Sequence, residues 1–189
     1  ACRTAIGGMG GVFRDIPAVN LGAIVIEEAL RRSKVPKNAV DQVYMGCVIQ
    51  AGQGQNVARQ AAVKAGIPVE VPAVTVNVVC GSGLNCVNQA AEIVVAGGME
   101  NMSMSPYAVS QGRYGYRMGN GTLVDTMVND ALTDAFYQYH MGVTAENIAE
   151  KWNITREEQD NFAIQSQRKA AIARAEGYFE KEIVPVEVK

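Results

Sequence analysis

Apolar residues follow two patterns along this chain, a spacing of three to four residues and short continuous runs. The first pattern predicts amphipathic helices over residues 15–34, 55–65 and 82–90. The second predicts buried strands over residues 42–49, 73–79 and 92–96, each followed within a few residues by glycine. Because strands and helices alternate, we predict an α/β fold with a largely parallel sheet.

The apolar pattern fades from Met99 to about Gly121, where Met, Ser, Gly, Tyr and Arg dominate and predict a long irregular segment. A helix is predicted again over residues 144–152. The pair Thr155 and Glu158 forms a capping box, which predicts a further helix that ends at Gly177. A last strand is predicted over residues 183–188.

Composition narrows the class of protein. The chain has 189 residues, 48% of them hydrophobic and 19% charged, which is typical of a globular protein with a core. A net charge of −2 predicts no nucleic-acid partner, and the apolar runs are too short to predict a membrane span. Four cysteines without a CxxC spacing and a single His predict neither disulfides nor a metal site. We expect a reducing intracellular location, most simply the cytoplasm.

Cys80 is the candidate nucleophile. It follows an apolar strand and precedes Gly81 and Gly83, a pattern that predicts a tight turn from a strand into a helix. N–H groups at a helix start favour the negative thiolate, which is the reactive form of Cys. The alternative is a buried small residue that ends the strand. For Cys47 and Cys86 we expect only this structural role.

Four segments give the chain a family resemblance. Residues 76–83 (VNVVCGSG) resemble the acyl-cysteine motif of the thiolases, and residues 96–103 (AGGMENMS) resemble their second signature. Residues 139–147 (YHMGVTAEN) are similar to a third motif, and residues 1–7 (ACRTAIG) to the opening segment of the family. The segments occur in family order and cover the chain from end to end. Acetyl-CoA acetyltransferases are the members that it resembles most.

The resemblance implies a thiolase-like layered α/β fold and a division of the chain into two parts. Residues 1–104 would form the N-terminal catalytic domain, and residues 105–189 part of an α-rich loop domain. The sequence opens directly on the segment ACRT, so we expect the first strand of the family to be missing. Residues 81–91 are also few for a parallel crossover with its helix, which needs a dozen or more. We therefore expect residues to be missing near Gln89–Ala91.

The resemblance also implies acyl transfer from one CoA thioester to another. The Cys80 thiolate would take an acetyl group from acetyl-CoA, and a second acetyl-CoA would then give acetoacetyl-CoA and free CoA, or the reverse. No metal or separate cofactor is implied. The family places the segment of His140 and Met141 against the pantetheine arm of CoA, so both are expected to bind substrate rather than to activate Cys80. A purely structural role is the alternative for His140.

The Gly-His-Pro and Cys-Gly-Gly motifs that carry the other catalytic groups of the family are absent from these residues. The chain alone is therefore expected to be inactive, and the family implies a homodimer or homotetramer active in fatty acid metabolism. One alternative function is a degradative 3-oxoacyl-CoA thiolase of broader chain length. Another is a non-catalytic thiolase-like subunit that binds acyl-CoA or lipid.

Overall fold

The computed structural model describes residues 1–90 and 94–188. They form two compact units, one of Ala1–Ala131 with the residues from Val184 onward, and one of Leu132–Ile183. The boundary predicted after residue 104 comes from the family resemblance and stays a prediction. The predicted loss of residues near Gln89–Ala91 falls on residues 91–93, which lie outside the described residues.

The strands are β1 (Arg3–Thr4), β2 (Gln42–Gly46), β3 (Ala73–Val76), β4 (Val94–Gly98), β5 (Tyr107–Ala108), β6 (Val124–Asp125) and β7 (Ile183–Val184). The α-helices are α1 (Ala18–Ser33), α2 (Val57–Lys64), α3 (Ser82–Asn88), α4 (Met141–Lys151) and α5 (Arg156–Ala175). Short 3-10 turns lie at Lys37–Ala39 and Met102–Met104, and a π-helical segment at Val128–Leu132.

A three-stranded parallel sheet organises the first unit. Strand β2 lies between β3 and β4 and pairs in parallel with both. In this register Gly46 lies opposite Val76 on one side and Gly98 on the other. The carboxyl ends of the three strands therefore meet at one edge of the sheet. The predicted α/β class with parallel strands is confirmed.

The core lies between this sheet and helices α1 and α2. Val43 and Met45 of the central strand are fully buried, and α1 adds apolar residues such as Ile26 and Leu30. The buried face of α2 is Val57, Ala58, Ala61 and Ala62. Burial of a Val, Ile or Met side chain contributes about 1.5–3 kcal/mol. The small side chains of α2 allow this helix to lie close to its neighbours.

The three core strands differ from the prediction at their ends. Strand β2 ends at Gly46 rather than at residue 49, and β3 ends at Val76 rather than at residue 79. The N–H of Cys47 still bonds to the Val76 carbonyl of β3, but the N–H groups of Val48 and Val79 bond to side chains instead of to a neighbouring strand. Gly97 and Gly98, predicted to follow the third strand, lie within β4 because they pair with Met45 and Gly46.

The helices of the first unit were predicted within a few residues. Helix α1 begins at Ala18 rather than at residue 15, since Pro17 has the extended ψ of 140° at its N-cap. It ends when Lys34 adopts a φ of 58°. The irregular segment from Met99 contains a 3-10 turn and then β5, which pairs antiparallel with β6.

The second unit is helical. Helix α4 begins at Met141, earlier than predicted, because the side chain of His140 caps it. The capping box of α5 is confirmed, with Thr155 and Glu158 each bonded to the other's backbone N–H. Gly177 follows the end of α5 with a φ of 69°. The predicted last strand shortens to β7, since Pro185 has no N–H to donate.

Candidate active site

Cys80 lies on a turn that joins β3 to α3. The turn runs from Asn77 to Gly81 and is closed by two side chains. Asn77 Oδ1 accepts the N–H of Val79 at 3.0 Å, and Ser82 Oγ accepts the N–H of Val78 at 3.0 Å. Ser82 also donates its hydroxyl to the Val79 carbonyl at 2.5 Å. The prediction that the strand leads directly into Cys80 is wrong. The strand ends at Val76 and leads into this hydrogen-bonded turn.

The residue before Cys80 has a strained backbone. Val79 has a φ of 54°, in the left-handed region that β-branched residues avoid. Such a conformation costs about 1–3 kcal/mol and persists only where surrounding contacts hold it. The contacts from Asn77 and Ser82 are of this kind. The strain lies at the residue that orients Cys80.

Three glycines let α3 rest directly on the ends of two strands. A Cβ atom added at Gly46 of β2 would lie 2.7 Å from the backbone nitrogen of Gly83 and from the carbonyl carbon of Ser82. One added at Gly98 of β4 would lie 3.3 Å from the Cα of Gly83. Sequence reasoning predicted a tight turn at Gly81 and Gly83 but not the contact of α3 with Gly46 and Gly98. Gly98 follows the third predicted strand, whereas Gly46 lies inside the predicted strand 42–49, where a glycine within an apolar run was its signal.

Burial separates the four cysteines. Cys80 is exposed, Cys2 is half-buried, and Cys47 and Cys86 are buried. Burial raises the pKa of Cys2 and of Cys86 above the usual thiol value. The burial expected of Cys47 and Cys86 is confirmed. Cys80 is thus the thiol that a reagent in solution reaches most directly.

Cys47 also lies beside a carboxylate. Its Sγ is 3.7 Å from Oε1 of Glu100. Burial, followed by the negative charge of Glu100, raises the pKa of Cys47 to about 12. The same carboxylate accepts the N–H of Val48 at 2.8 Å and the N–H of Ile49 at 3.3 Å. Sequence reasoning did not single out Glu100.

His140 and Met141 lie together at the start of α4, in the second unit. Nδ1 of His140 accepts the N–H of Gly142 at 2.9 Å, so the hydrogen bond assigns the remaining ring proton to Nε2. Nε2–H is then a donor available to another group. Met141 is 39% exposed. His140 therefore has a capping role, and the substrate role of both residues stays a prediction.

Two observations bear on other functions. Within residues 1–90 and 94–188, His, Cys, Asp and Glu side chains form no group of three or more that could hold a metal ion. No helix of this described part is both long enough and apolar enough to cross a membrane.

The fold and site define an α/β protein with an exposed cysteine on a strained turn at the carboxyl edge of a parallel sheet. The family model "Thiolase, N-terminal domain" matches residues 1–189. The chain therefore belongs to the thiolase family.

Curated relatives carry a name from this family. A protein of Staphylococcus aureus named "Probable acetyl-CoA acyltransferase" is 53% identical over the whole chain, and one of Staphylococcus epidermidis with the same name is 54% identical. Each match covers 50% of the relative, so the chain spans about half the length of the curated relatives it matches. The alignments extend over 196 positions, more than the 189 residues of this chain.

Proposed function

We propose that the protein is an acetyl-CoA C-acetyltransferase that carries the acetyl group on Cys80. The observation that supports this most strongly is the exposed Cys80 thiol on its strained turn, in a chain whose other cysteines are buried or half-buried. Membership of the thiolase family and the acyltransferase name of the relatives point to the same chemistry.

In the proposed reaction the Cys80 thiolate attacks the thioester carbonyl of acetyl-CoA. A new carbon–sulfur bond forms to Cys80, and CoA leaves as a thiolate that takes up a proton. The backbone N–H of Cys80 helps to stabilise the oxyanion of the tetrahedral intermediate. A second acetyl-CoA then loses a proton from its methyl carbon, which balances the proton taken up by CoA. The carbanion attacks the acetyl carbonyl, the bond to sulfur breaks, and Cys80 leaves as a thiolate while acetoacetyl-CoA forms. Because CoA thioesters are substrate and product, the proposal needs no metal or redox cofactor.

For His140 and Met141 we propose contact with the pantetheine arm of CoA. The free Nε2–H of His140 suits an amide carbonyl of that arm, since Nδ1 already accepts from Gly142. Met141 offers a flexible apolar surface beside it. We also propose that the protein acts as a homodimer or homotetramer, as its family resemblance implies.

The test of covalent catalysis is a trapped intermediate. The full-length protein is incubated with acetyl-CoA and digested, and its cysteine peptides are analysed by mass spectrometry. We expect an acetyl adduct on Cys80 that is lost in Cys80→Ala and retained in Cys2→Ala, which removes a half-buried thiol of the same chain. Absence of the adduct in the unaltered protein would refute the proposal.

A degradative 3-oxoacyl-CoA thiolase is the second candidate, because the relatives are named for acyl rather than acetyl transfer. The two functions differ in chain length. Thiolysis of acetoacetyl-CoA should be compared with thiolysis of 3-oxohexadecanoyl-CoA under the same conditions. Faster turnover of the short substrate supports the acetyltransferase, and faster turnover of the long one supports the degradative enzyme.

A further inference from the structure

We propose that Glu100 and Asn77 are positioning residues for Cys80, linked to each other through the backbone of Val48. This inference rests on the proposed function, since it assigns to both residues a role in acetyl transfer. Neither side chain needs to touch the substrate. Each acts through the turn that carries Cys80.

The first link joins Glu100 to the segment that follows β2. Its Oε2 accepts the N–H of Val48 at 2.8 Å, and its Oε1 accepts the N–H of Ile49 at 3.3 Å. Two successive backbone N–H groups directed at one carboxylate hold that segment against the residues after β4. Glu100 is itself exposed, so it does not contribute by filling the core.

The second link joins this segment to the turn of Cys80. The carbonyl of Val48 accepts from Asn77 Nδ2 at 3.4 Å, and Asn77 Oδ1 accepts from the N–H of Val79 at 3.0 Å. Val48 therefore has its N–H bonded to one positioning residue and its carbonyl to the other. The contact of 3.4 Å is the weakest in the series, so we expect a larger effect from Asn77 than from Glu100.

The link matters because the conformation of Val79 is not one that Val adopts unaided. Its φ of 54° requires external support, and the amide oxygen of Asn77 supplies part of it. The peptide between Val79 and Cys80 carries the N–H that the proposed mechanism directs at the oxyanion. If Val79 relaxes, this N–H and the thiol both turn away from the reacting carbonyl. The loss should therefore appear in kcat rather than in KM.

The test uses variants of the full-length protein. Asn77→Ala removes both hydrogen bonds, whereas Asn77→Asp keeps an acceptor for Val79 and loses the donor to Val48. Glu100→Gln removes the negative charge and so weakens the hydrogen bonds that the N–H groups of Val48 and Ile49 donate to this side chain. Misplacement of reacting groups by about 1 Å costs about 100-fold, so we expect a loss in kcat of about 10- to 100-fold for Asn77→Ala and about 3- to 10-fold for the other two. KM for acetyl-CoA should change by less than about threefold.

Two exposed residues provide matched controls. Asn38 lies just before β2 and Glu70 lies just before β3. Both are therefore at the amino ends of these strands, whereas Cys80 and its turn are at the carboxyl ends. Asn38→Ala and Glu70→Gln should leave kcat unchanged. Thermal unfolding of every variant shows whether it folds. If Asn77→Ala is unfolded, the nearly isosteric Asn77→Asp carries the test.

The double variant distinguishes a linked pair from two independent residues. Asn77→Asp already separates the turn from Val48, so Glu100→Gln should cause little further loss in that background. A Glu100→Gln effect that is equal in both backgrounds would overturn the link. An unchanged kcat in Asn77→Ala would overturn the positioning role itself.

Alkylation keeps this inference separate from the proposed function. The rate at which iodoacetamide modifies Cys80 is followed by peptide mass spectrometry, and it should change in Asn77→Ala but not in Asn38→Ala. If the unaltered protein forms no acetyl adduct, the proposed function fails and alkylation alone decides the positioning role. A Cys80 alkylation rate that is the same in Asn77→Ala and in the unaltered protein would then overturn it.

Discussion

Cys47 has only 1% of its surface exposed and lies beside Glu100, so two physical effects oppose its ionisation. Removal from water disfavours the thiolate, and the nearby carboxylate repels it. Cys80 lies a few residues beyond the end of the neighbouring strand and is exposed. Two cysteines near the same edge of the sheet therefore differ in their exposure to solvent, which depends on the fold.

The raised pKa of Cys47 predicts a pH-dependent stability. An unfolded thiol loses its proton near its usual pKa of about 8.5, whereas the folded thiol keeps it until about pH 12. Between these values the folded state binds more protons, so the free energy of unfolding falls as pH rises, by at most about 1.4 kcal/mol per pH unit. Urea unfolding at several values from about pH 8 to about pH 10 measures this slope.

The contribution of Cys47 is isolated by comparing, between variants, the slope of the free energy of unfolding against pH. Cys47→Ala should be less stable at neutral pH but should lose less stability on the alkaline side. Cys80→Ala removes an exposed thiol and should retain the slope of the unaltered protein. Equal slopes in all three proteins would show that Cys47 ionises as easily in the folded state as in the unfolded chain.

At the scale of elements, local signals predicted which helices and strands exist, and long-range contacts decided where several of them end. The capping box of α5 uses residues three apart, so the sequence predicts it directly. Strand β2 ends at Gly46, and beyond Cys47 the N–H groups of Val48 and Ile49 bond to Glu100, which lies 52 and 51 residues away. The start of α4 depends on His140, a capping residue that the apolar pattern does not reveal.

The contact between α3 and the strand ends predicts a severe effect of Gly46→Ala. The added Cβ would lie 2.7 Å from two backbone atoms of α3, which cannot move aside as a flexible side chain could. Overpacking of this kind costs about 1–3 kcal/mol or displaces the helix. We expect a lower midpoint of urea unfolding and slower acetylation of Cys80. Gly8→Ala, where a Cβ meets nothing within 4 Å, should change neither the midpoint nor the rate of acetylation. An unaltered midpoint in Gly46→Ala would argue against this packing of α3 on the strand ends.

At the scale of the whole molecule, the chain represents about half the length of its curated relatives. It carries the candidate nucleophile but neither a Gly-His-Pro nor a Cys-Gly-Gly motif. We therefore predict that residues 1–189 expressed alone can be alkylated at Cys80 but do not turn over acetoacetyl-CoA. A longer polypeptide that supplies both motifs should do so, and Cys80→Ala in that polypeptide is the control. Turnover by residues 1–189 alone would contradict the prediction.

The sequence by itself determined the features that depend on residues close together in the chain. Alternating apolar patterns predicted the α/β class, the capping box predicted α5, and Cys80 with its glycines predicted a turn between a strand and a helix. Four ordered motifs led to the thiolase family, which the family match confirms. Each of these signals lies within a short stretch of chain.

Only the tertiary structure decided which distant residues surround that turn. The parallel register brings Gly46 and Gly98 to the start of α3, and it brings Glu100 to the backbone beyond β2. Asn77 reaches Val48 across 29 residues and supports the strained Val79. Such contacts leave no periodic trace in the sequence, because they depend on strand order and register rather than on spacing along the chain.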